Sequence, residues 1–120
     1  MKNIDLDNQT DLVLDIVNIE SIALFLTKRV IELIVTNNDS ILELNLKHRA
    51  KDKPTDVLSF PIECHFMGEA LNNMPLGSIV ISADFVEAKA KEFGHSTTDE
   101  FSLLLIHGLL HLLGYDHEQR

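Results

Sequence analysis

The chain is poor in the features that mark disulfide-bonded or membrane-bound proteins. Cys64 is the single cysteine among 120 residues, so no internal disulfide can form, which fits a reducing cytoplasm. We interpret Cys64 as a small packing residue. No apolar run approaches the roughly 20 residues of a membrane span, and the first residues are polar and acidic, unlike a secretory signal peptide. A cytoplasmic protein without membrane contact is therefore expected.

Basic residues are also scarce. Ten Lys and Arg stand against 19 Asp and Glu, a net charge of −9, and such a field repels a polyanion. Four of the ten basic residues, however, occupy every second position of one seven-residue stretch, namely Lys47, Arg49, Lys51 and Lys53. If this stretch is extended, all four side chains lie on one side. A solvated loop is the alternative interpretation.

Length and apolar patterning predict a single α+β domain over residues 1–120. Short apolar or alternating runs predict about four strands, near residues 4–6, 30–35, 55–60 and 79–81. Apolar residues at helical spacing predict a helix over residues 19–29, with Asn18 as its cap, and another over residues 83–93. A further helix is predicted to begin with a cap within residues 38–40 and to carry Ile41, Leu44 and His48 on one face. Residues 62–75 are expected to be loop, and continuation of the first helix through 30–35 stays open.

The last predicted helix is apolar on nearly every side from residue 101 to 113. Thr97 and Glu100 match a capping box at its start, and Asp99 and Glu100 suit the positive end of the helix dipole. Gly114 is placed to end the helix in a left-handed conformation. We therefore expect a small mixed sheet packed with several helices, the last of them central.

Three histidines at the end of this helix carry the predicted chemistry. His107 and His111, four residues apart, project from one face, and the turn at Gly114 would bring His117 toward them. Three imidazoles without a thiolate are typical of zinc sites with an open position, where a bound water has its pKa lowered to roughly 7. Buried, hydrogen-bonded histidines are the alternative. We predict one Zn²⁺ per chain, although nickel, cobalt or copper also suit three imidazoles.

The histidine spacing resembles the metzincin protease signature His-Glu-x-x-His-x-x-Gly-x-x-His. Gly108 stands where that signature has the glutamate that takes a proton from the metal-bound water, and no later methionine can form a Met-turn. The sequence therefore keeps the metal scaffold and lacks the peptide-cleaving base. Another metal-dependent hydrolase, of peptides or small esters, remains an alternative function.

Two segments together resemble the YbeY family of rRNA-maturation endoribonucleases. Residues 44–61 combine a Leu-Asn pair, Arg49 and a Pro-Thr-Asp-Val-Leu-Ser-Phe block, and residues 107–117 read His-Gly-x-x-His-Leu-x-Gly-Tyr-Asp-His. The resemblance implies a zinc-dependent, single-strand-specific endoribonuclease that matures the 3′ end of 16S rRNA and acts in ribosome quality control in a bacterial cytoplasm. Single-stranded RNA, rRNA and the ribosome or its small-subunit proteins are the implied partners, with no DNA and no membrane.

The same resemblance makes the three histidines the zinc ligands and gives His107 and Arg49 catalytic roles. A guanidinium beside the metal would grip a phosphate through two hydrogen bonds and stabilise charge in the transition state. A surface salt bridge to Asp52 or Asp56 is the alternative for Arg49. Asp56 could also cap its strand or orient a histidine. The general base stays open between Asp56, Asp116 and a metal hydroxide.

The chain departs from the family pattern at three positions. Ser78 stands where an aspartate is usual, so the role of that acid is absent here or taken elsewhere. His48 replaces a common aromatic residue, and Ala50 replaces a common glycine. One alternative function belongs to a different class, a ribosome assembly factor in which zinc merely holds the last helix. Metal removal would then collapse the fold, whereas a catalytic site would lose activity and leave the fold largely intact.

Overall fold

A four-stranded mixed sheet organises the computed structural model, which describes residues 3–51, 53, 55–62 and 75–115. The strands, in the spatial order β1-β2-β4-β3, are β1 (Ile4–Asn8), β2 (Ile31–Thr36), β3 (Val57–Pro61) and β4 (Gly77–Ser82). The helices are α1 (Ile16–Leu26), α2 (Asn38–Arg49), α3 (Ala83–Phe93) and α4 (Thr97–Leu112). β1, β2 and β4 are parallel, and β3 runs antiparallel to β4 at one edge. The predicted α+β fold with about four strands is confirmed.

Different helices cover the two faces of the sheet. Side chains alternate along β4, so Ile79 and Ile81 enter a large apolar cluster with α1 and α4, while Val80 meets Ile41 of α2 on the other face. Helix α4 contacts β3, β4, α1 and α3, and Leu109 in its middle is fully buried. This confirms the predicted central position of the last helix. No helix within the described ranges is long and apolar enough to cross a membrane.

The first helix begins earlier than predicted. Asp15, not Asn18, is the N-cap of α1, and its Oδ1 accepts a hydrogen bond from the backbone N of Asn18 at 3.1 Å. Asn18 lies inside the helix, where its Nδ2 donates to Oγ of Ser102 in α4 at 2.7 Å. Both residues are good caps by type. This tertiary contact with α4 fixes which of them is used.

The capping box predicted for the last helix is also shifted by one residue. Ser96 is the N-cap of α4, and its Oγ accepts from the backbone N of Asp99 at 3.0 Å. Glu100 is buried instead of reaching back to the cap, and its Oε1 lies 2.8 Å from Nε2 of His95. The predicted loop over residues 62–75, with Cys64, falls almost entirely outside the described residues.

Candidate functional site

Helix α4 carries two of the predicted zinc ligands on one flank. His107 is half-buried and His111 is exposed in the last turn. The Asn18–Ser102 hydrogen bond marks the flank of α4 that lies against α1. Successive residues are about 100° apart around a helix. His111 therefore projects from the side of α4 opposite to Ser102, and His107 projects close to His111. Both histidines therefore lie on the side of α4 that faces away from α1, toward the edge strand β3.

Gly108, between His107 and His111, packs directly against the sheet. A Cβ built at Gly108 would lie 3.1 Å from Cγ2 of Ile79 and 3.3 Å from Oγ of Ser59. The Ser59 hydroxyl donates a hydrogen bond to the carbonyl oxygen of Gly108 at 3.3 Å. A side chain at this position would require its neighbours to give by a few tenths of an ångström. The close approach of α4 to β3 and β4 therefore disfavours the metzincin glutamate here.

The turn after α4 has the geometry predicted from Gly114. Its φ is +99°, a left-handed conformation that favours glycine. The backbone N of Gly114 donates to the oxygen of His111 at 3.1 Å, and that of Tyr115 donates to the oxygen of Leu110 at 2.9 Å. This pair of bonds is a Schellman motif, and it turns the chain away from the helix axis just after His111.

The third predicted ligand lies outside the described residues, as does Asp116. Among residues 3–51, 53, 55–62 and 75–115, no three His, Cys, Asp or Glu side chains gather closely enough to hold a metal ion. The described part therefore supplies two imidazoles on one flank of α4 and the turn that follows them. The zinc site formed with His117 stays a prediction.

Helices α2 and α4 end at the same end of the sheet, on opposite faces. On one face, the ring of His48 lies 5.0 Å from the ring of Phe60. On the other face, Cδ2 of Leu112 lies 3.0 Å from where a Cβ on Gly77 would be. Gly77, at the start of β4, pairs with Pro61 at the end of β3. The basic end of α2 and the histidine-bearing end of α4 therefore flank the same end of β3.

Arg49 is the exposed last residue of α2. Because α2 is helical through Arg49, Lys47 and Arg49 project about 200° apart around the axis, so the condition for a one-sided basic stretch, an extended chain, is not met. Arg49 makes no ion pair within the described ranges. Asp56 caps its own strand instead, since its Oδ1 accepts from the backbone N of Val57 at 2.8 Å. Asp52, the other proposed partner, lies outside the described residues.

A buried asparagine holds the basic loop beside Arg49. Asn45 is 1% exposed, and its Nδ2 donates to the carbonyl oxygen of Lys53 at 2.8 Å. Ala50 ends α2 in the left-handed region, with φ +57°, and the next backbone N, of Lys51, donates to the oxygen of Asn45 at 3.3 Å. Lys51 and Lys53 therefore stay exposed next to the end of α2. Sequence reasoning missed this role, although Asn45 follows Ile41 at helical spacing.

A carboxylate lies beside Ser78 even though the family aspartate is missing there. The Ser78 hydroxyl donates to Oε1 of Glu32 at 2.7 Å, and Glu32 is its register partner on β2. Ser78 alternates with Ile79 and so lies on the α2 face of the sheet. A negative charge next to this position comes from the neighbouring strand.

Comparison with known proteins agrees with this geometry. The family model described as Endoribonuclease YbeY matches residues 1–120. Endoribonuclease YbeY of Sulfurovum sp. (strain NBC37-1) is 60% identical over 115 residues, which cover 96% of this chain and 78% of the relative. Endoribonuclease YbeY of Aliarcobacter butzleri is 59% identical, with 96% and 79% covered.

A solved structure is similar as well. The solution structure of TM1509 from Thermotoga maritima matches with a TM-score of 0.56 and 36% identity over 86% of this chain. The match spans 64% of that longer chain, less than two thirds of its length. The sequence relatives support an endoribonuclease role. Together with the family match over residues 1–120, these similarities show that the chain belongs to the YbeY endoribonuclease family.

Proposed function

We propose that the protein is a zinc-dependent endoribonuclease that cleaves single-stranded RNA. Its proposed substrates lie in rRNA, including the 3′ end of 16S rRNA, and its proposed setting is ribosome maturation and quality control in the bacterial cytoplasm, with the small ribosomal subunit as partner. Family membership supports ribonuclease activity. The observation that carries the proposal is that an exposed, cationic helix end and a histidine-bearing helix end flank the same end of β3.

The donor set suits a zinc ion. His107 and His111 present imidazoles one turn apart on one flank of α4, and the Schellman turn at Gly114 is followed in sequence by His117. Three neutral nitrogen ligands leave the full charge of the ion in the site. When bound, zinc supplies a Lewis acid that stabilises negative charge on a phosphoryl oxygen.

The residues of α2 bind and orient the RNA in this proposal. Arg49 presents a planar guanidinium that grips a phosphate through two parallel hydrogen bonds and stabilises charge gained in the transition state. Lys51 and Lys53 attract the neighbouring phosphates, against a net charge of −9 for the whole chain. These local cations are needed because the overall field repels the substrate.

A pair of rings next to Arg49 supports the proposed preference for single strands. The exposed ring of His48 lies against the half-buried ring of Phe60, 5.0 Å between centroids and tilted by 60°. Unpaired bases stack on such side chains, whereas bases inside a duplex already have both faces covered. We propose that a base next to the scissile phosphate stacks on His48.

Packing argues that the zinc acts catalytically and does not simply hold the fold together. Helix α4 is anchored without any metal, because Leu105 and Leu109 are fully buried and Gly108 sits against Ile79. We expect a chelator to abolish RNA cleavage while the melting temperature falls only slightly. Collapse of the fold on chelation would instead favour a structural zinc in an assembly factor.

The test compares matched variants on a fluorescent single-stranded RNA. His111→Ala should lose both cleavage and bound zinc, measured by elemental analysis against about one ion per chain in the parent. Arg49→Glu should keep its zinc and lose about a hundredfold or more in cleavage rate. Lys91→Glu is the matched control, because Lys91 is an exposed cation in the last turn of α3. Equal cleavage by all of these proteins would assign the activity to a contaminant.

A further inference from the structure

Helix α1 has an apolar face that the fold does not bury. Ile19 and Ala23 are buried on its inner face, at 2% and 0% exposure. On the outer face Val17 is 74% exposed and Phe25 is 88% exposed. Glu20 is the only charged residue among the 11 residues of the helix. A surface helix normally turns charged residues toward water, so this composition indicates a missing partner.

The strongly exposed apolar residues of α1 and of the segment before it, which we call the α1 stripe, are Val13, 85% exposed, Val17 and Phe25. No other large apolar side chain in the described ranges exceeds 61% exposure, so the stripe is the strongest apolar feature of that surface. A shallow, open groove lined by residues that include Val13 lies between the segment before α1 and the start of α4. Exposed apolar surface of this kind marks protein interfaces.

The charges around the α1 stripe select the kind of partner. Residues 3–29 contain five acids, Asp5, Asp7, Asp11, Asp15 and Glu20, against two cations, Lys28 and Arg29, which follow α1, so this region has a net charge of −3. This field repels RNA. A second copy of the chain would bring the same acids into the interface, where like charges oppose association. A basic protein segment is complementary.

We propose that the α1 stripe docks an amphipathic protein segment rich in lysine and arginine. The apolar face of the segment covers Val17 and Phe25, and its cations pair with Asp11 and Glu20. The stripe lies on the opposite side of α4 from His111, because α1 contacts the far flank of that helix. The proposal therefore stands independently of the catalytic assignment.

The probe is a synthetic helical peptide of about five turns with leucine on one face and lysine on the other. Its affinity for the full chain is measured by fluorescence anisotropy. Val17→Ser combined with Phe25→Ser should weaken binding about tenfold or more, since buried aromatic and apolar anchors dominate such interfaces. Phe93→Ser is the control, because Phe93 is 60% exposed on α3, away from the stripe. It should leave the affinity unchanged.

Charge is tested separately. Asp11→Lys with Glu20→Lys should weaken binding and reduce its dependence on salt, because ions screen the charges at the rim of an interface. This second variant keeps the test decisive if the serine variant folds poorly. Equal affinity for a peptide with glutamate in place of lysine would overturn the proposal. A dimer of the parent chain that dissociates in the serine variant, seen by analytical ultracentrifugation, would also overturn it, because the occupant would then be a second copy.

Discussion

Replacing Ala50 by glycine should stabilise the protein. Ala50 has φ +57° and ψ +31° and is the one non-glycine residue with positive φ in the described ranges. An L-residue costs about 1–2 kcal/mol in this region. Glycine removes that strain, but it also makes the unfolded chain more flexible than alanine does. Folding then costs about 0.4–1 kcal/mol more in conformational entropy. The net expectation is a gain of about 0.5–1 kcal/mol, and no packing is lost because Ala50 is exposed.

The free energy of unfolding from urea titration measures the effect, with a rise in melting temperature of about 3 °C as a second reading. Ala88→Gly is the matched control, because Ala88 is exposed within α3. There the same substitution should cost about 0.5–1 kcal/mol. Opposite signs at two exposed alanines isolate the backbone conformation as the cause. A loss of stability in Ala50→Gly equal to that in Ala88→Gly would refute the reasoning.

Further substitutions test the packing and charge arguments. Gly108→Ala should lower the free energy of unfolding by about 1 kcal/mol. Its contacts of 3.1–3.3 Å overpack the interface with β3 and β4, and this cost exceeds the benefit of alanine's higher helix propensity. A rise in stability would show that the sheet can shift to make room. Ser78→Asp should lower the free energy of unfolding by about 1 kcal/mol, because it places a second carboxylate beside Glu32. Adding Glu32→Gln should raise the stability of that variant, whereas Glu32→Gln alone should not stabilise the parent. His95→Ala should cost about 2 kcal/mol by leaving the buried Glu100 carboxylate without its partner, and an unchanged urea midpoint would contradict this.

The elements of the fold follow from sequence patterns, but their arrangement does not. Alternation and apolar runs locate β1 to β4 to within a few residues, because each strand buries one face or both. They do not predict that β3 pairs antiparallel with β4, because alternation shows which face of the sheet a side chain lies on but not which strand is adjacent. The caps show the same limit. Asp15 and Asn18 are equally good caps by type, and the contact of Asn18 with Ser102 decides between them.

Two local features near the candidate site follow from residue spacing alone. Four-residue spacing puts His107 and His111 on one flank of a helix, and Gly114 predicts the left-handed turn that follows. The alternating basic residues do not lie on one side, because that arrangement requires an extended chain and α2 is helical through Arg49. The apolar spacing of Ile41 and His48 indicates the helix that the structure has. The spacing of exposed charged residues does not determine secondary structure, so the spacing of the buried apolar residues predicts it better.

Gly108 connects the fold to the proposed chemistry. Helix α4 crosses β3 and β4 so closely that even a Cβ on the residue between the two histidines would make contacts of 3.1–3.3 Å, and the Ser59 hydroxyl meets its carbonyl. The same close crossing brings the histidine-bearing end of α4 to the end of β3 that α2 reaches from the other face. A metzincin peptidase places a glutamate beside its metal, and this packing disfavours one at that position. Arg49, at the end of α2, adds an exposed cation at this end of the sheet. A cation attracts a phosphodiester, so Arg49 favours an RNA substrate.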